Sequence, residues 1–169
     1  MKKSTKKLVL LSLFVTVALV LSYIESMIPP LYPAVPGIKM GLANIVILVC
    51  LYLFSVKEAI VLSLMRIFVS ALLFGNVMSM IYSLAGAILS LVVMTSLKKT
   101  NLFSMLGVSV AGAVCHNLGQ VLVAIVVLEN IQIGYYMIIL CGTGVVAGIL
   151  TGIAGGLVTK YLNKAIKER

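Results

Sequence analysis

The sequence predicts an all-α integral membrane protein, folded as a single bundle of six transmembrane helices. Three observations predict it. Of the 169 residues, 62% are hydrophobic and only 10% are charged, against roughly half and about a quarter in soluble domains. Apolar runs long enough to cross a ~30 Å hydrocarbon core at ~1.5 Å per residue recur along the chain, and helices satisfy the backbone there without an open edge. The basic residues gather at the ends of these runs. They are not interleaved with aromatics, so the net charge of +9 reports membrane topology rather than nucleic-acid binding.

The first span is expected over residues 8–24, behind the basic start MKKSTKK. The start resembles a signal peptide, but the apolar run continues to Ile24 with no small-x-small cleavage pattern, so it reads as a retained helix. The loop that follows, ESMIPPLYPAVPGIK, holds all four prolines of the chain. Each ring fixes φ and removes a donor, which makes the loop stiff: a lid or rim, or an ordered turn. Spans two and three, 40–54 and 59–73, are short and suit helices sheltered by neighbours. Spans four, five and six are expected over 80–97, 102–128 and 135–159. The whole is one transmembrane domain over 1–169, flanked by basic tails at 1–7 and 160–169.

Orientation follows from the lysines. Lys2, Lys3, Lys6, Lys7, Lys57, Lys98, Lys99, Lys160, Lys164, Lys167 and Arg169 fall on one side, eleven of the thirteen Lys and Arg residues. By the positive-inside rule both termini are then cytoplasmic, and the proline-rich loop with Lys39 lies outside a bacterial-type plasma membrane.

Small residues mark close helix approach. Gly144, Gly148, Gly152 and Gly156 recur every four residues on one face of span six. Packing within the bundle is one reading and a dimer seam the other. Span four repeats the device with Ser83/Ala87 and Gly86/Ser90, and span five with Gly107/Ala111. Cys50, Cys115 and Cys141 have no metal-like spacing and read as small core residues.

Polar side chains inside spans are few, and they usually face a protein interior or a wet cavity. His116 and Gln120 lie four apart on one face of span five, with Asn117 about 100° around it. Arg66 lies within span three beside Ser63 and Ser70. Its guanidinium can bind an anionic ligand, snorkel, or tie helices together, and a membrane ion pair is hard to build, because the four acids are glutamates near span ends or in loops. Lys39 at the outer mouth, with Asn44 one turn further in, completes a candidate binding set: Lys39, Asn44, Arg66, His116, Asn117 and Gln120. For each, the plain alternative is a structural hydrogen bond.

The chain has no Asp, so it lacks the clustered carboxylates that hold magnesium on a diphosphate. It has no G-x-x-x-x-G-K-[ST] loop. No cofactor or metal is indicated, and the balance points away from an enzyme, toward a substrate-capture subunit, a scaffold or an assembly factor.

The runs PGIKMGLANIVILVCLYLF, RIFVSALLFGNVMSMIYSLAGAILSLVVM and GVSVAGAVCHNLGQVLVA resemble the Gx transporter family, whose members are often labelled heptaprenyl diphosphate synthase component I. More distantly, G-x-K-x-G-L-A-N-I resembles the substrate-binding S components of energy-coupling factor (ECF) vitamin transporters. That resemblance implies a six-helix, S-component-like protein that captures a vitamin-like small molecule from outside and docks on an ECF T subunit driven by two ATPase subunits. It also implies docking through small residues four apart on the first helix, here Ala18 and Ser22. The synthase label implies an alternative, a non-catalytic membrane partner of a prenyl diphosphate synthase in isoprenoid or quinone metabolism.

Overall fold

The computed structural model describes residues 3–28 and 41–167, and every regular element among them is helical. The helices are α1 (Lys3–Met27), α2 (Asn44–Leu53), α3 (Val56–Leu73), α4 (Val77–Thr100), α5 (Met105–Val127) and α6 (Tyr136–Lys167), the last introduced by a 3-10 turn, Ile131–Tyr135. Lys39 and the prolines of the first loop lie outside the described residues.

Among the described residues there are six α-helices, of which four are long and apolar enough to cross a membrane: Thr5–Met27, Val77–Thr100, Met105–Val127 and Ile131–Ala165. The expected second span contracts to ten residues, a helix of about 15 Å that reaches half-way through a bilayer core. Its surroundings explain this. Val46, Ile47, Leu48, Val49, Cys50 and Leu51 are all buried, and a helix apolar on every side belongs in a protein interior. The bundle, not lipid, covers this short helix. Helix α3 spans 18 residues but carries Lys57, Glu58 and Arg66, which sets it apart from the four apolar helices.

Helix α5 is the centre of the packing, flanked by α4 and α6, while α1 pairs with α3 and α2 fits against α6, α3 and α1. The α5–α6 seam is made by three of the four spaced glycines. A β-carbon at Gly148 would lie 2.6 Å from Val110 Cα, one at Gly152 3.0 Å from Leu106 Cα, and one at Gly144 3.3 Å from Val114 Cα. Backbone meets backbone along this line, as small residues every four positions permit. Gly156 stands apart from it, with nothing within 4 Å of its β-position. The α4–α5 contact is as close, since a β-carbon at Gly119 would meet the Ala85 carbonyl oxygen at 2.7 Å.

One end of the bundle collects lysines. Lys7 pairs with Glu58, which Ser55 also reaches. Lys98 Nζ donates to the Leu51 carbonyl at 2.5 Å and lies 5.0 Å over the Tyr52 ring. Its ammonium thus meets the negative end of the α2 dipole while its stem covers apolar surface.

Candidate functional site

Helix α3 turns Ser63, Arg66 and Ser70 inward, one above another at three- and four-residue spacing, and all three are buried. The Arg66 side chain is 2% exposed. Its Nη1 donates to Ser22 Oγ at 3.4 Å, and Nε and Nη2 have no hydrogen-bond partner among the described residues. Leaving such donors unmet costs about 1–3 kcal/mol, more on a charged group. A buried guanidinium in this state is therefore an unusual expense for a core that leucine would fill.

The charge nearest in function to Arg66 comes from a residue that the sequence reading placed at a span end. Helix α1 continues to Met27, so Glu25 is a helical residue on the same inward face as Phe14, Ala18 and Ser22. It is 5% exposed, and its charge acts on Arg66. Glu25 thus stands near the end of its helix, as expected of the glutamates, but buried within the bundle. The sign was available in the sequence: Phe14, Ala18, Ser22 and Glu25 follow the 4-4-3 spacing of one helical face.

The same carboxylate accepts the backbone N–H of Gly41. Gly41 has φ +83°, and a β-carbon there would lie 2.8 Å from Asn44 Nδ2 and 3.6 Å from His116 Cδ2. This turn leads into α2, whose N-cap, Ala43, offers no side-chain cap. On α5, His116 Nε2 and Gln120 Nε2 are 3.2 Å apart, both side chains are buried, and Gln120 Oε1 has no hydrogen-bond partner among the described residues. Arg66, Ser22, Glu25, Gly41, Asn44, His116 and Gln120 thus form one polar line from α3, past α1 and the start of α2, to α5.

Other candidates fall elsewhere. Asn117 Nδ2 donates to the Leu140 carbonyl at 2.7 Å and lies against Gly144, because 100° of helix rotation turns it from the His116 face to α6. It ties two helices and stands apart from the polar line. Lys39 lies outside the described residues. Ala18 and Ser22 are both 0% exposed, so the pair expected to dock a partner faces the interior, with Ser22 engaged by Arg66. Beside Asn44, a cavity of about 10 Å³ is lined by Gly41, Ser90, Ser109, Gly112 and Thr151 among others, room for a single water. Ser109 and Thr151 hydrogen-bond at 2.8 Å, while the buried Ser90 hydroxyl has no hydrogen-bond partner among the described residues. Ser90 was legible in the sequence only as a small packing residue. Among the described residues no group of three His, Cys, Asp or Glu is placed to hold a metal.

Gly41 is the joint on which this arrangement turns. Gly41→Ala forces an L-residue into the left-handed region, which costs about 1–2 kcal/mol, and crowds Asn44. The expected result is a loss of stability of that size, read from denaturant unfolding in detergent. An unchanged midpoint would mean that the turn relaxes without penalty.

A family model described as heptaprenyl diphosphate synthase component I matches residues 14–158, a stretch that contains the entire polar line. No curated protein and no solved structure matches the chain.

Proposed function

This chain belongs to the heptaprenyl diphosphate synthase component I family, and from that membership and its polar core we propose that it is a membrane-embedded substrate-binding subunit without catalysis of its own. In this reading it works as an S-component-like part of an ECF-type transporter, taking a vitamin-like or similarly small molecule from the outer face. Partner ATPases acting through a T subunit drive uptake.

The observation that carries the reading is the buried polar line, above all the Arg66 guanidinium with two nitrogens unmet among the described residues. Ionisable groups at membrane depth are expensive and rare, and they mark substrate paths by default. The lysine-rich end supports an orientation with both termini in the cytoplasm. The proline-rich loop and Lys39 then lie on the outer side.

Arg66→Ala and His116→Ala are expected to reduce uptake by at least tenfold while the protein still inserts and purifies, as the loss of one charged or polar ligand contact of ~1.4 kcal/mol or more requires. Unchanged uptake in both variants would remove the polar line from the binding site. A second reading rests on the family's description as one component of a synthase: a non-catalytic membrane partner of a prenyl diphosphate synthase. Co-purification separates the two. A T subunit with ATPases supports transport, whereas a soluble prenyl synthase alone supports the partner role.

A further inference from the structure

Four helices bring short polar side chains to the cavity of about 10 Å³ beside the polar line: Asn44 from α2, Ser90 from α4, Ser109 from α5 and Thr151 from α6. Gly41 and Asn44 line this cavity, and the β-position of Gly41 is 3.6 Å from His116 Cδ2, so the cavity continues the polar line into the bundle. Its hydrogen bonds have a direction. Thr151 Oγ1 donates to the Gly148 carbonyl at 3.2 Å, which leaves Ser109 to donate in the 2.8 Å bond between the two hydroxyls. The Ser109 oxygen then keeps lone pairs that accept. Ser90 is 2% exposed, and its hydroxyl has no hydrogen-bond partner among the described residues, a state that destabilises a fold unless a guest relieves it. Among the described residues, no side chain that lines the cavity is charged.

We propose that this cavity is a subsite for one uncharged, hydrogen-donating group of the captured molecule, a hydroxyl or an amide N–H, and that Met94 is the movable wall that admits it. The inference rests on the substrate-capture reading and adds to it the chemistry of one end of the ligand. The guest group donates to the Ser109 oxygen and accepts from the Ser90 hydroxyl. A charged group is rejected, because no lining side chain neutralises it and burial strips its water. Met94 is 3% exposed, and its side chain fills the notch left by the missing β-carbon of Gly112. A β-carbon there would lie 2.5 Å from Met94 Cγ, 2.7 Å from its sulfur and 3.3 Å from Ser90 Oγ. Methionine is unbranched and adaptable, so its side chain can swing aside without moving a helix. Its withdrawal joins the Gly112 notch to the cavity and lays the Ser90 hydroxyl open to the guest.

The test uses the full-length protein in detergent micelles, carrying Ser90→Cys and treated with the hydroxyethyl, sulfonatoethyl or aminoethyl form of one methanethiosulfonate reagent. Peptide mass spectrometry then reads modification at position 90 apart from the native cysteines. The hydroxyethyl form should react faster than either charged form by on the order of tenfold or more, each rate taken relative to a free thiol, because a charge is costly to bring into the bundle. Adding Met94→Ala should raise the hydroxyethyl rate by on the order of tenfold, since the open state no longer has to be drawn from a minor population. Ser83→Cys is the control. Ser83 is 5% exposed on the same helix and does not line the cavity, so that variant should stay unmodified. Ser109→Cys gives a second view of the same subsite should Ser90→Cys fail to fold. A cysteine at the subsite that stays inert even with Met94→Ala, equal rates for the charged reagents, or equal reaction of Ser83→Cys would overturn the proposal. Uptake by Arg66→Ala and His116→Ala tests substrate capture separately, so lost uptake there beside an inert subsite cysteine would strike only this subsite.

Discussion

Arg66→Met is expected to lower stability by about 3 kcal/mol or more in reversible unfolding from mixed micelles. Removing one member of a buried charged pair strands the other, and the cost of the stranded charge exceeds the net worth of the pair. Arg66→Met leaves the Gly41 N–H to Glu25 hydrogen bond in place and takes the buried positive charge out of the polar line. Glu25→Gln is expected to be costly for the mirror-image reason, because Arg66 then faces Ser22 without the opposing charge. The decisive quantity is the double variant, in which a methionine and a neutral amide fill the same volumes with no charge to strand. Its loss should be smaller than the sum of the two single losses by about 1–3 kcal/mol, the range seen for directly coupled residues. Additivity to within about 0.5 kcal/mol would show that the two side chains do not act as a unit.

The second large effect is expected at the α5–α6 seam. A side chain at Gly148 meets the Val110 backbone at 2.6 Å, where neither helix has a flexible atom to move. Gly148→Ala should cost about 1–3 kcal/mol by overpacking, and Gly148→Leu should leave little folded protein in detergent. Gly156→Ala is the control. With nothing within 4 Å of its β-position, it should be neutral or gain up to ~1 kcal/mol from helix propensity. Size-exclusion profiles and thermal midpoints of the three variants provide the comparison, and equal behaviour of Gly148→Ala and Gly156→Ala would dissolve the seam as described.

Much of this architecture was legible in the sequence. Length and apolarity marked α4, α5 and α6, and the lysines marked one end of the bundle. Four-residue spacing marked the glycine face but not where it stops. Gly144, Gly148 and Gly152 oppose Val114, Val110 and Leu106. The next step of four falls at residue 102, before α5 begins at Met105, so Gly156 has no counterpart. The length of α2 was not legible, because apolar composition does not distinguish a helix covered by lipid from one covered by protein. Arg66, His116, Gln120 and Asn44 were found because polar residues stand out in an apolar chain. Glu25 was hidden by its nearness to a proline-rich loop, and Asn117 was grouped with His116 although its own angle on α5 sends it to α6. Side-chain direction, rather than residue type, separates these cases.

The central claim, that the polar line holds a small molecule, is tested most directly by mass spectrometry of the protein gently purified from native membranes. The chain and its Arg66→Lys variant should be compared side by side. The account predicts a near-stoichiometric small molecule on the unmodified protein that is strongly depleted from the variant. Equal retention by both would remove Arg66 from the site, and a ligand-free protein accompanied only by a prenyl synthase would contradict substrate capture itself.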